Sequence, residues 1–416
     1  MRQVLISDKK RLGFLFGAGS SLATGVPGVS VPAIQKATQL VVDQVKAHSP
    51  EFSTAVDQIK SEFASANSSF NVESLLSCVE NKRTAIGNGV LNGLNADGFS
   101  RLAKLVKERI VDLVSVHEAL SEDDRSRLAH TRFSSWIANA RRRYPAEIFT
   151  TNYDYLFEIA LEASRVPYFD GFAGSYEPFF CPEAVEDLDA LPQLVKLWKM
   201  HGSLGWTYRQ TDKAIIRERG AAAEALLIYP SHLKYDTSKK QPYVGLIDRL
   251  CGFLQQDDAV LFTCGYSFGD DHVNERIVTS LRRGANSHVL ALYYDEVIGP
   301  DGRPSFELAT EHNKLRQMAT AETSGKMSVY GIRHAIVGGR FGEWRLKAEP
   351  TVDESFLVSD YFDEDPATPR LEPGQHKGDE DWAGTGRFLL SDFVRFADFL
   401  NDLSSIDPVV TDQMTK

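Results

Sequence analysis

The stretch FLFGAGSSLATGVPGVSVP, Phe14 to Pro32, decides how the rest of the chain is read. An apolar run stops at Gly17, and a glycine- and serine-rich turn carries the chain into a helical pattern. Short, apolar and closed by glycine, LGFLF (Leu12 to Phe16) has the form of a buried parallel strand. A strand, then Gly17-Ala18-Gly19-Ser20-Ser21, then a helix sets backbone N–H groups and a helix N-terminus at the carboxyl edge of a sheet, where phosphate can bind. The spacing is neither G-x-G-x-x-G nor a P-loop, because no glycine stands at the sixth place and no Gly-Lys-Ser/Thr follows. Taken alone, the turn reads equally as a plain strand-to-helix connection.

Downstream, the pattern changes. From Val31 to about Arg143, VPAIQKATQLVVDQVKAH, NVESLLSCVENKRTAI and FSRLAKLVKERIVDLVSVHEAL place apolar residues three and four apart, as amphipathic helices do. This is the pattern of a helical insertion. Strand-like runs then return at 146–151, 194–200, 225–230, 259–265 and 288–294, alternating with helical patterns at 153–165, 240–256 and 271–283. Strand alternating with helix predicts an α/β fold, a parallel sheet with helices on both faces. The sheet-bearing unit is expected over 1–345, with the helical insertion at about 31–143 inside it. A C-terminal extension, 346–416, is expected to hold an acidic linker (353–381) and a terminal helix (387–403) with Phe388, Phe393, Phe396, Leu400 and Leu403 on one face. Self-docking is the expected fate of that helix.

Composition narrows the classes. The chain has 416 residues, 43% hydrophobic and 25% charged, the balance of an ordinary globular protein. Its net charge is −11, of which −8 falls in 353–381, so the remainder is close to neutral and gives no overall electrostatic case for nucleic-acid binding. The N-terminus shows neither a cleavage-site pattern nor an apolar stretch near the roughly 18 residues of a membrane span. A cytoplasmic chain is the expectation. Cys78, Cys181, Cys251 and Cys264 lie too far apart for paired zinc ligands or a dense disulfide framework, so no metal is expected and the thiols read as reduced.

Three further strand ends carry polar residues. FTTNYDYLFE puts Asn152 and Asp154 after a strand and ahead of a helix, where either can cap that helix. KLWKMHGSLGW closes a strand with His201-Gly202, and a lone histidine is commonly structural. In FTCGYSFGDDHVNERI, Gly265 and Ser267 follow a strand, and Asp270 and Asp271 precede a helix whose N-terminus they can cap and whose dipole they complement.

In this order, the four ends resemble the signature series of the sirtuin family. Sirtuins read GAGISTSAGIP where Gly17 to Pro27 read GAGSSLATGVP, keeping Gly17, Ala18, Gly19, Ser21, Gly25 and Pro27. Asn152 and Asp154 fall on the family's TQNID, His201-Gly202 on its catalytic His-Gly, and Gly265 and Ser267 on its GTS. The chain departs from protein-deacylating sirtuins in two places. Gly28-Val29-Ser30 stand where those carry Asp-Phe-Arg, and the cysteine spacing cannot supply their four-cysteine zinc ribbon.

TNYD, HGSL and GYSFGDDHVN are similar to segments of bacterial sirtuin-like proteins of anti-phage defence, whose members hydrolyse NAD. The resemblance implies a Rossmann-like sheet and NAD as substrate. It implies Asn152, Asp154 and His201 as catalytic residues, and Gly17, Ala18, Gly19, Ser20, Ser21, Gly265, Ser267 and Asp271 as nucleotide-binding ones. It further implies depletion of NAD during infection, restrained by self-assembly into a homo-oligomer or by a partner such as a HerA-type DNA-translocating ATPase. Two other readings stay open: a module that holds NAD or ADP-ribose without cleaving it, and a protein deacylase or ADP-ribosyl transferase.

Overall fold

In the computed structural model, LGFLF lies at the centre of a nine-stranded sheet. The structure describes all residues except 141, 189–190, 192, 223–224, 226, 228–240, 285, 300, 348–359, 367, 370–379, 382 and 405–416. The strands of the sheet are β1 (Arg11–Phe16), β2 (Glu147–Thr150), β3 (Tyr168–Phe169), β4 (Val195–Lys199), β5 (Ala259–Cys264), β6 (His288–Leu292), β7 (Met327–Tyr330), β8 (His334–Val337) and β9 (Arg340–Glu343). Their order is β9-β8-β7-β6-β5-β1-β2-β4-β3. From β7 to β3 every pairing is parallel, and β8 and β9 add an antiparallel edge. A separate four-stranded antiparallel sheet, built from Phe172–Ala173, Phe179–Phe180, Trp206–Arg209 and Ala214–Arg217, lies outside it.

Both faces of the sheet are buried at its central strands β1, β2, β4 and β5, which is why these read as continuous apolar runs. On one face Leu15, Phe149, Trp198 and Leu261 pack against Leu246, Leu250 and Phe253 of the helix Tyr243–Leu254 and Ile277 and Leu281 of the helix Asp271–Arg283. On the other, Phe14, Phe16, Leu197 and Phe262 meet Phe133 and Trp136 of the helix Ala129–Asn139, and Phe157 of the helix Leu156–Ala163. The α/β fold class expected from the sequence is the one observed.

Three expected boundaries differ. Within 31–143, only the helices Ile34–His48, Pro50–Ser65, Val72–Ala85 and Ala96–Val114 share a core of their own, and Ala129–Asn139 belongs to the sheet because Phe133 and Trp136 are buried on it. The terminal helix begins at Phe393, not 387. Gly386–Phe388 is a strand paired antiparallel to Phe362–Glu364, and the Phe388 ring stacks 5.1 Å from Trp344, so its place in the helical pattern is a coincidence of spacing. The helix cannot start earlier because the Asp392 carboxylate takes the Arg395 N–H at 3.1 Å, an N-cap contact. Phe393, Phe396 and Leu400 then lie on the same aromatic face as Phe14 and Phe133, so the segment completes the sheet unit. The run 225–230 and most of the acidic segment 353–381 lie outside the described residues.

Candidate active site

The chain leaves β1 toward β2 on one side, while β5, its neighbour on the other side, leads on to β6. Loops after such a pair diverge and open a crevice at the carboxyl edge, the usual ligand position in an open α/β sheet. Here the two loops touch at their start. The Gly19 N–H donates to the Gly265 carbonyl at 2.9 Å, and a Cβ on Gly19 would stand 2.6 Å from Gly265 Cα. A side chain at either position would force the loops apart, so these glycines are required by backbone meeting backbone. In the same turn the Ser20 N–H and hydroxyl both donate to the Gly17 carbonyl, at 3.0 and 2.9 Å. Ala18 is exposed.

Asn152 and Asp154 arrive from the end of β2 and are buried. Asn152 Nδ2 lies 2.9 Å from Gly17 O, 3.0 Å from Ser20 Oγ and 2.7 Å from Ser21 Oγ. One amide thus ties β2 to the whole first turn, and among the described residues no donor reaches its Oδ1. Asp154 Oδ2 accepts the Ser21 hydroxyl at 2.5 Å, while its Oδ1 accepts the Leu156 N–H at 3.0 Å. Asp154 thus caps the helix with one oxygen and holds the first turn with the other.

His201 follows β4 and is 6% exposed. Its Nε2 lies 2.9 Å from Asp270 Oδ2. The partner is thus the first of the two adjacent acids, and Asp271, the one expected at the site, is exposed and ion-paired with Lys314. The difference follows from helix geometry, because Asp270 is the N-cap, whose side chain folds back over the first turn, and Asp271 is already on the helix surface. Ser267 is exposed, with its Oγ 3.3 Å from the Gly269 N–H. The loop between them is fixed by Phe268, a non-glycine at φ +56°, whose carbonyl accepts from the buried Asn274 amide at 2.7 Å.

Two more residues under the site are not signalled by any motif. Lys199, at the end of β4, is buried and donates to the carbonyls of Tyr153 (3.2 Å) and Asp154, and to Glu158 Oε1 at 2.7 Å. It clamps the loop that carries Asn152 and Asp154 from below. Burial pushes the Glu158 carboxyl above its usual range despite the Lys199 ammonium, and among the described residues its Oε2 has no partner. The one sequence trace of Lys199 is a lysine within the apolar run LVKLWKM.

The structure therefore brings together Gly17, Gly19, Ser20, Ser21, Asn152, Asp154 and Gly265 by direct hydrogen bonds, and pairs His201 with Asp270. Among the described residues no group of three or more His, Cys, Asp or Glu could hold a metal ion, and no helix is long and apolar enough to cross a membrane.

Comparison with known proteins adds a family match over part of the chain. Residues 146–316 match the SIR2-like domain. That span carries β2 to β6, and with them Asn152, Asp154, His201, Gly265 and Asp270; the first turn lies before it. Curated proteins give no match. A solved structure described as the crystal structure of a Sir2 homolog–NAD complex aligns at 12% identity over 70% of this chain and 82% of that one, with a TM-score of 0.30. Over residues 146–316, then, the chain is similar to the SIR2-like domain family.

Proposed function

We propose that the chain cleaves NAD+ with water at the bond between nicotinamide and ribose, releasing nicotinamide and ADP-ribose. The observation that carries this reading is the convergence of residues from separate strand ends on one turn: Asn152 and Asp154 bonded to Ser20 and Ser21, with Gly265 against Gly19. Nicotinamide departs neutral, so the leaving group needs no acid. The protein's work is to hold the dinucleotide, favour the positive charge that develops on the ribose, and deliver a water.

Each residue suits one of those tasks. The Asp154 carboxylate supplies negative charge, steadied by Ser21. The Asn152 amide oxygen, which no donor among the described residues reaches, suits a water or a ribose hydroxyl. His201 suits the proton-accepting role, since a neutral imidazole whose Nε2 faces Asp270 keeps its other nitrogen able to accept. The Gly19 N–H, the N–H and hydroxyl of Ser20 and the Ser21 hydroxyl are committed inside the protein, so on this reading Ser20 and Ser21 organise Asn152 and Asp154, and phosphate contacts fall to other groups of the two loops, with Ala18, Ser267 and Gly269 among the exposed members. Hydrolysis is favoured over acyl-lysine chemistry by the Gly28-Val29-Ser30 segment. Val29 is buried with Val26, Leu120, Leu128 and Leu156, an inward anchor where deacylating sirtuins carry Asp-Phe-Arg. The similarity of the motifs to defence proteins supports a role in NAD depletion under phage attack, held in check by self-assembly or by a HerA-type ATPase.

The test is to incubate the chain with NAD+, with and without such an ATPase, and to separate nicotinamide and ADP-ribose by chromatography. Both products should appear in equal amounts, and Asn152→Ala, with its circular dichroism unchanged, should lose about a hundredfold or more in turnover. Stoichiometric NAD+ binding with no nicotinamide would instead identify a non-catalytic module. Release only when an acyl-lysine peptide is added would identify a deacylase.

A further inference from the structure

Asp270 performs two tasks with separate oxygens. Its Oδ1 accepts the backbone N–H groups of His272 at 3.1 Å and Val273 at 3.5 Å, closing the first turn of the helix Asp271–Arg283. Its Oδ2 lies 2.9 Å from His201 Nε2, and both side chains are 8% exposed. The helix is 13 residues long and has Val273, Ile277 and Leu281 packed on the sheet, so the cap anchors the carboxylate to a rigid element. The loop just before it is held by the Asn274 amide on the Phe268 carbonyl and by the Tyr266 hydroxyl, 3.3 Å from Asn274 Oδ1.

We propose that Asp270 is a positioning residue for His201, fixing the orientation and the tautomer of its ring; this rests on the reading of His201 as the proton acceptor in NAD+ cleavage. A carboxylate only accepts hydrogen bonds, so the shared proton belongs to Nε2, and Nδ1 is the accepting nitrogen of the neutral ring. The first turn of the helix holds the acid, and the acid holds the base. Asp154 follows the same plan on the facing loop, with one oxygen on the Leu156 N–H and the other on Ser21.

Asp270→Asn separates the two tasks. The two backbone donors still require an acceptor, so the Asn oxygen takes the cap, a position asparagine fills as well as aspartate. Its NH2 group is then turned on His201, Nε2 must accept, and the ring proton moves to Nδ1. Histidine-ring 15N shifts read this directly, with the His201 signal identified among the ten histidines by its loss in His201→Gln. The expected result is Nε2 protonation in the wild type and Nδ1 protonation in Asp270→Asn. The same change should lower kcat for nicotinamide release by about a hundredfold or more, with KM altered by less than about threefold, since an interaction that acts on the base leaves substrate binding alone.

An unchanged tautomer in Asp270→Asn, or turnover within about twofold of the wild type, overturns the assignment. Should Asp270→Asn lose its helical circular dichroism, Asp270→Ser keeps a capping oxygen too short to reach the ring, and His201 should then show both tautomers. A wild-type chain that releases no nicotinamide sinks the NAD-cleavage reading by itself, and the ring spectra still decide whether Asp270 sets the state of His201.

Discussion

His130 is fully buried between the rings of Phe157 and Phe393, at 4.7 and 4.8 Å, and among the described residues neither of its ring nitrogens has a partner. Burial drives its pKa from 6.5 down to about 4, with Asp154 opposing the shift and Arg132 adding to it. The folded value lies below the unfolded one, so the fold holds the neutral ring. Above about pH 6.5 the residue is indifferent to folding. Between there and about pH 4 the unfolded chain takes up a proton that the fold refuses, which costs stability on the order of 3 kcal/mol in all. His130→Leu should therefore gain on the wild type as pH falls, seen as diverging urea midpoints between pH 7 and pH 4.5; parallel midpoints would show that the ring is not held neutral. The same economy of position explains what could be read from the residues. Asn152, Asp154 and His201 were visible because each ends an apolar strand, where a polar residue has few structural reasons to be. Asp270 was hidden beside Asp271, since either acid can cap a helix and only the path of the backbone decides which one turns inward. Lys199 was hidden more deeply, because its role is to donate to backbone carbonyls, and those acceptors leave no mark in a sequence.

Among the elements, the helix Phe393–Ser404 shows how burial settles a function that spacing left open. Phe396 is fully buried, 6.5 Å from the Phe14 ring and 6.2 Å from Phe262, both on the central strands. Phe396→Ala should cost about 3–5 kcal/mol of stability, because the site is walled by rigid strands that cannot collapse into the cavity. A urea-unfolding midpoint little changed from the wild type would mean that the helix rests on the sheet without completing it. Deletion of the segment is accordingly expected to unfold the sheet unit, and not merely to release a partner. The long parallel strands and their helices were legible because their apolar runs and 3.6-residue periods are strong. The two-residue strands of the antiparallel sheet and β3 were not, since two residues carry no period at all. The hairpin β8–β9 escaped for a related reason: all four residues of β9 are exposed, so no alternation marks it.

At the scale of the whole molecule, the helical insertion and the sheet have separate cores. Val41, Val45, Phe52, Val56, Ile59, Leu75, Leu76, Phe99, Leu102 and Val106 pack among themselves, and none of them belongs to either face of the sheet. Three of its helices also carry their own start signals: Ser49 with Pro50, the Asn71–Ser74 capping box, and Asn95 on the Gly98 N–H. Local signals and a private core are what independent folding requires. A fragment spanning 32–115 is thus expected to fold alone, with helical circular dichroism and a single cooperative urea transition, and a gradual, non-cooperative loss of helix would show that the sheet is needed to order it. If the module does fold alone, any influence it has on the site passes through the segments that join it to the sheet unit, the one before it, where the Val31 N–H donates to the Ser21 carbonyl at 2.9 Å, and the one after it that rejoins the sheet. In the second, His117, half-buried, sets its ring edge-on at 5.0 Å to Tyr155, the residue after Asp154 in the loop that Lys199 clamps, so a displaced module would move the loop that holds the acid. His117→Ala, a change outside that fragment, should then leave the circular dichroism of the whole chain unchanged while altering its NAD+ turnover. Equal turnover in the two chains would mean that the module and the site are mechanically independent.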